Sequence, residues 1–156
     1  LAFDHPVIAQ TDIESILQTI LPEFDAFLVE SQLNRGRHRL TIQVFVDTDA
    51  GIQISQCADI SRRLGKAIEE RNLVEQPYEL QVSSPGIDRP LKFLRQYKKN
   101  IGRTYRVILR GEPDSRTIEG TLESVEGEVL GFRTENEELI AVRHAEIIES
   151  KEVLPW

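Results

Sequence analysis

Ser83, Ser84 and Asp88 stand close together in mid-chain, with His5, His38 and His144 elsewhere, so Ser/His/Asp nucleophilic catalysis is the first chemistry to weigh. It lacks its usual setting. No Gly-x-Ser-x-Gly elbow is present, and Ser84 precedes Pro85 in what reads as a turn. Ser84 and Asp88 are more simply turn-capping groups that accept from nearby backbone N–H groups. Metal binding has no better support, because one cysteine and three scattered histidines have no ligand spacing. Asp47, Asp49 and Gly51 resemble the start of a calcium loop. The bidentate glutamate expected later is missing, with Asp59 near its place and one carbon shorter, so a solvated loop is the reading. No glycine-rich loop has the P-loop or dinucleotide pattern. No catalytic residue, metal or cofactor is expected, and the chain does not read as an enzyme.

The remaining chemistry is electrostatic. The formal charge is −7, but it is segregated along the chain. Residues 1–88 carry 7 Lys/Arg against 14 Asp/Glu, residues 89–111 carry 8 basic residues and no acid, and residues 112–156 carry 4 against 12. The basic band is Arg89, Lys92, Arg95, Lys98, Lys99, Arg103, Arg106 and Arg110. A solvated surface would explain it blandly, but so uneven a distribution in an acidic chain points to phosphate contact, with Arg35 and Arg37 as a further basic tip. Tyr97 and Tyr105 could interleave as stacking groups, although Tyr105 falls at a core-facing phase. Glu119, Glu123, Glu126, Glu128, Glu135, Glu137 and Glu138 form an acidic set suited to solubility or to a basic partner.

The elements that must hold these charges follow from periodicity. Residues 1–10 read as an extended lead-in. Thr11 to Glu14 reads as a capping box, followed by the stripe Ile13, Ile16, Leu17, Ile20 and Leu21 of a helix that Pro22 ends. Strands are expected at about Phe27 to Leu33, with Phe27, Val29 and Leu33 alternating, and at Leu40 to Val46. Gly36 is expected to supply positive φ in the loop between them. Ser55 would cap a second helix burying Cys57, Ile60, Leu64, Ala67 and Ile68, and a third strand would run from Tyr78 to Ser83. After a short helix near Phe93, Leu94 and Tyr97, ended by Gly102, five short strands begin at Thr104, and His144 falls in a turn before the last of them. The fold class is therefore α+β. An N-terminal αββαβ domain over 1–88 has a three-stranded sheet with two helices on one face, and 89–156 holds the connector, the short helix and a small closed all-β barrel.

Between the two lies Ser83-Ser84-Pro85-Gly86-Ile87-Asp88-Arg89-Pro90. Pro85 fixes its own φ, Gly86 readily takes positive φ, and Pro90 drives Arg89 to an extended conformation. No apolar run approaches the roughly 20 residues that span a bilayer. No basic start leads an apolar segment, and the chain opens at Leu1 with no methionine, so its true start is expected upstream. The single Cys57 fits a reducing compartment. A cytoplasmic protein is expected.

The segment Val82-Ser83-Ser84-Pro85-Gly86-Ile87-Asp88-Arg89-Pro90-Leu91 closely resembles the joint of the bacterial ribosome maturation factor RimP family. Leu40 to Asp47, Gly51-Ile52 through Ser61, and Glu152 to Trp156 resemble further family segments, with Gln56 where an acid is usual. The resemblance covers nearly the whole chain. It implies an N-terminal α+β domain and a C-terminal Sm-like, SH3-type barrel. It also implies a cytoplasmic, non-enzymatic role in maturing the small (30S) ribosomal subunit. The implied partner is the pre-subunit particle, met through rRNA and a basic ribosomal protein by a monomer, with no membrane and no small-molecule substrate. A general RNA-binding regulator with an Sm-like barrel is the alternative.

Overall fold

A computed structural model of the chain describes residues 8–86, 89–111 and 113–154. The expectations for the lead-in, His5, Asp88 and the terminal Pro155-Trp156 fall outside, or mostly outside, that set. The chain divides into two compact units, Leu1–Pro85 and Gly86–Trp156.

The first unit is built on β2 (Leu40–Thr48), which lies between β1 (Ala26–Arg35) and β3 (Tyr78–Ser83). β1 runs antiparallel to β2 and β3 parallel to it. Leu40, Ile42, Val44 and Val46 are fully buried against α1 (Gln10–Ile20) and α2 (Ile54–Glu70). The apolar stripe of α1 and Cys57, Ile60, Leu64 and Ile68 of α2 supply the facing layer, as helical spacing predicts. Burial pushes the Cys57 thiol pKa up, with Asp47 adding to the effect.

Four local details differ from the sequence reading. The start of α1 is capped two residues earlier than expected: Ala9 N–H donates to Asp12 Oδ2 at 2.8 Å, so Thr11 lies inside the helix. α2 likewise begins with Gln53 N–H donating to Gln56 Oε1 at 2.9 Å, and Ser55 is a helical residue. Here an amide at the third helical position does the work of the usual capping acid. β1 carries a bulge between Leu28 and Glu30 that resets its phase. Leu28 and Leu33 therefore both pack on the core despite an odd spacing, and a single alternating face of Phe27, Val29 and Leu33 does not hold. Gly36 is needed for room rather than for positive φ: a Cβ there would sit 3.0 Å from the Arg39 carbonyl oxygen.

The second unit is a five-stranded antiparallel sheet in the order β7-β6-β5-β4-β8. The strands are β4 (Thr104–Leu109), β5 (Arg116–Glu126), β6 (Val129–Arg133), β7 (Leu139–Arg143) and β8 (Ile147–Glu152). Among the described residues β7 and β8 end the ladder on either side and no pairing closes them into a ring. Tyr105, Val107, Leu109, Leu122, Leu130, Phe132 and Val142 form its core. Where one short helix was expected there are two 3-10 turns, Leu94–Gln96 and Lys98–Asn100, ended by Gly102 at φ +99°. No helix among the described residues is long and apolar enough to cross a membrane.

Because Leu64 is fully buried and Ile54 is 90% exposed on the same helix, truncating them separates core packing from helix propensity. Leu64→Ala is expected to lower stability by about 2–5 kcal/mol and Ile54→Ala by less than about 0.5 kcal/mol, measured by urea unfolding followed by circular dichroism.

Candidate nucleic-acid interface

The basic band is positioned by a polar anchor that carries no charge. Gln96 is 1% exposed, and its Oε1 accepts from Lys92 N–H at 2.8 Å and Phe93 N–H at 2.7 Å. Asn100 Nδ2 in turn donates to the Gln96 carbonyl at 2.7 Å. These bonds satisfy backbone groups that a 3-10 turn leaves open at its ends. Successive N–H groups of Gln96, Tyr97, Asn100 and Arg103 each donate to the carbonyl three residues back. With three residues per turn, Leu94, Tyr97 and Asn100 form the inward row, while Lys92, Arg95 and Lys98 are exposed. The spacing of the basic residues is thus matched to a 3-10 period.

Tyr97 is buried, not displayed for stacking. Its ring meets Tyr105 at 6.4 Å and the edge of His144 at 5.8 Å, and His144 Nε2 lies 3.3 Å from Lys92 O. Burial raises the pKa of Tyr97, and the neighbouring Ser150 hydroxyl draws it partly back. Those two hydroxyls are close without reaching hydrogen-bond geometry. Burial likewise pushes Tyr105 far up, with Glu152 adding to it. Both tyrosines stay neutral and belong to the core.

The remaining basic residues differ in setting. Arg89 is half-buried, Lys99 is partly buried, and the Lys92 ammonium lies 5.4 Å from the centre of the Phe93 ring. Arg103, just before β4, pairs with Glu152 of β8 at 3.7 Å, and Arg106 of β4 pairs with Glu119 of β5 at 3.6 Å. Arg110 donates to the Ala145 carbonyl. A band without one acid along the chain therefore has acids beside it in space. The Arg106–Glu119 pair is exposed and weak; Glu152 is largely covered, but the Arg103 guanidinium that meets it stays exposed, so neither pair prevents phosphate contact. In the first unit Arg35 donates to the Ile8 carbonyl, and Arg37 is exposed at the β1–β2 turn.

The acidic residues are also partly engaged. Glu123 accepts from Arg133 Nε at 2.6 Å and Nη2 at 3.1 Å, a bidentate pair that holds the Glu123 carboxyl below the usual carboxylate range. Glu126, Glu128, Glu135, Glu137 and Glu138 are exposed in the two turns that flank β6. Ser83 and Ser84 are exposed, and the His144 ring is packed on Tyr97. Asp47 is buried and accepts from Thr48 N–H at 2.9 Å, bracing its turn. Among the described residues no group of three or more His, Cys, Asp or Glu could hold a metal ion. Sequence reasoning missed Gln96 and Asn100, for which burial of a polar side chain was the only signal. It also missed Glu152 as a partner, because pairing depends on strand register.

Gln96→Ala should leave two N–H groups without their acceptor and cost about 2 kcal/mol, whereas Gln96→Glu keeps an acceptor and costs less. Hydrogen exchange at the Lys92 and Phe93 amides, with urea unfolding, reads both. For Glu123, whose folded pKa is depressed, the stabilising pairing is present above the unfolded pKa of about 4.3 and fades as pH falls through the lower folded value. A carboxyl NMR titration should place Glu123 below a free glutamate, and Arg133→Gln should return it to the ordinary range.

The family model for the RimP N-terminal domain matches residues 16–88. Over 121 residues the chain is 40% identical to the ribosome maturation factor RimP of Cytophaga hutchinsonii, covering 76% of this chain and 71% of that protein. That alignment is longer than Leu1–Pro85 and so extends into the second unit. The likeness therefore reaches both the sheet-and-helix layer and the part that carries the basic turns. The chain belongs to the ribosome maturation factor RimP family.

Proposed function

We propose that the protein is a non-enzymatic, cytoplasmic and monomeric assembly factor that helps mature the small (30S) ribosomal subunit by binding its precursor. The observation that carries this reading is the 40% identity to a ribosome maturation factor. The exposed basic residues on the 3-10 turns support the manner of binding. Arg89, Lys92, Arg95, Lys98 and Lys99, extended by Arg103, Arg106 and Arg110, contact rRNA phosphates as point charges and forks without reading base sequence. Arg35 and Arg37 add a second basic point. The glutamate-rich turns face a basic ribosomal protein. Strand order β7-β6-β5-β4-β8, led by a short 3-10 segment, supports the Sm-like, SH3-type reading of the second unit. Ser83, Ser84, Pro85, Gly86, Asp88, Arg89 and Pro90 form the joint between the domains 1–88 and 89–156, and Gly86 at φ +63° suits the turn assigned to it.

Binding through phosphates makes affinity salt-dependent, which suits a factor that must leave its particle. Turning Arg89, Lys92, Lys98 and Lys99 together to Glu should abolish co-sedimentation with immature small subunits and flatten the salt dependence. Unchanged co-sedimentation would end the phosphate-contact reading. The alternative, a general RNA-binding regulator, instead requires tight binding to free single-stranded RNA and no preference for the particle.

A further inference from the structure

Sheet edges expose unpaired N–H and C=O groups and are normally guarded by charge, proline, bulges or cover. In the first unit, Gln10 Nε2 donates to the Ser31 carbonyl on β1, and β3 follows Pro77 and carries Glu79. In the second unit, Leu91 N–H donates to the Ser150 carbonyl at 2.9 Å on the outer side of β8. β7 is different. It ends the ladder and reads Leu-Ile-Ala-Val-Arg, with no proline, no lysine, no acid and one charge at its end. Among the described residues its outer edge has no main-chain partner.

The register says which groups are open. Thr134 N–H donates to Glu138 O and His144 N–H to Glu128 O, each at 2.9 Å. These bonds bracket the β6–β7 pairing, in which Leu130 faces Val142 and Phe132 faces Ile140. Alternation along an antiparallel pair then directs the main-chain groups of Ile140 and Val142 to β6. Those of Leu139, Ala141 and Arg143 point to the free edge. On the solvent face of the same strand Leu139 is 53% exposed and Ala141 is exposed. Glu135, Glu137 and Glu138 crowd one end of β7, and Glu126 and Glu128 lie at the other.

We propose that the β7 edge is a strand-addition site for an extended basic segment of a protein partner, which pairs with Leu139, Ala141 and Arg143 and sets its Lys and Arg side chains against the flanking glutamates. This deepens the reading that an acidic surface meets a basic protein, and rests on it. Main-chain pairing supplies the affinity and is indifferent to sequence, so specificity comes from charge at the strand ends and from a small apolar side chain over Ala141 and Leu139. A five-residue edge spans about 17 Å. That suits a short tail and not a folded interface, and gives a modest affinity compatible with release.

The full chain, labelled for amide NMR, is titrated with a short synthetic peptide alternating Arg or Lys with Val. The amides of Leu139, Ala141 and Arg143 are expected to gain exchange protection while those of Ile140 and Val142, already bonded to β6, barely change. Ala141→Pro removes an outward donor that an edge strand can lose without breaking its inner ladder, and should weaken binding by at least about tenfold. Leu139→Lys leaves the backbone intact, guards the edge with like charge and should weaken it as well. Protection at other residues, undiminished binding by both variants, an RNA oligonucleotide protecting the same amides in place of the peptide, or edge-to-edge dimers of the chain alone by light scattering would each overturn the site. Ala141→Pro that still co-sediments with immature subunits and still binds peptide sinks this site but leaves the assembly reading standing. Failure of the unaltered chain to co-sediment, with peptide protection intact, does the reverse.

Discussion

Each unit depends on one strand that is paired on both sides, and the alternation of that strand fixes what its neighbours can do. In the first unit Leu40, Ile42, Val44 and Val46 of β2 point to the helices, so Thr41, Gln43 and Phe45 must face the other way. In the second, Tyr105, Val107 and Leu109 of β4 turn inward between β5 and β8. Arg106 is thereby forced outward, opposite Glu119 on one side and Lys151 on the other. Tyr97 packs on Tyr105, so the 3-10 turns with their basic residues are tied to the same strand. The core and the charged surface are two consequences of one alternating pattern.

This is why so much of the fold was legible. A period of two in β2 and β4, and a period near 3.6 in α1 and α2, are strong enough to be read from residue types alone. Element ends were less legible because caps are interchangeable: Asp12 and Gln56 carry the capping that Thr11 and Ser55 would have supplied elsewhere. The bulge in β1 was invisible because no residue type demands it; register against β2 reveals it. Tyr97 was ambiguous for the same reason. A tyrosine among lysines reads as a stacking platform until its packing on Tyr105 and His144 is known.

The candidate surface was legible in sign but not in detail. Counting charge along the chain gave a band of eight basic residues without an acid. Sheets bring distant segments side by side, however, and Glu119 and Glu152 arrive from β5 and β8. Those pairs orient Arg103 and Arg106 without burying them. The residues that matter most for holding the turns, Gln96 and Asn100, carry no charge and were silent in any charge-based reading.

The same geometry sets a direction on the β7 edge. His144, at its C-terminal end, touches the Lys92 carbonyl, so the basic turns lie beside that end. The turn with Glu135, Glu137 and Glu138 lies at the other end, about 17 Å away along the strand, beyond the roughly 8 Å over which salt leaves charges coupled. Glu126 and Glu128 share their end with Arg143, whereas at the other end Arg133, which donates to the Glu137 carbonyl, is already paired with Glu123 and leaves Glu135, Glu137 and Glu138 in excess. A strand laid on β7 meets a gradient, not a uniform surface. A basic segment whose charge is concentrated at one end has one favoured polarity there, and that polarity places its most basic end against Glu137 and Glu138. Main-chain pairing alone would accept either direction, so charge at the ends of the strand selects between them.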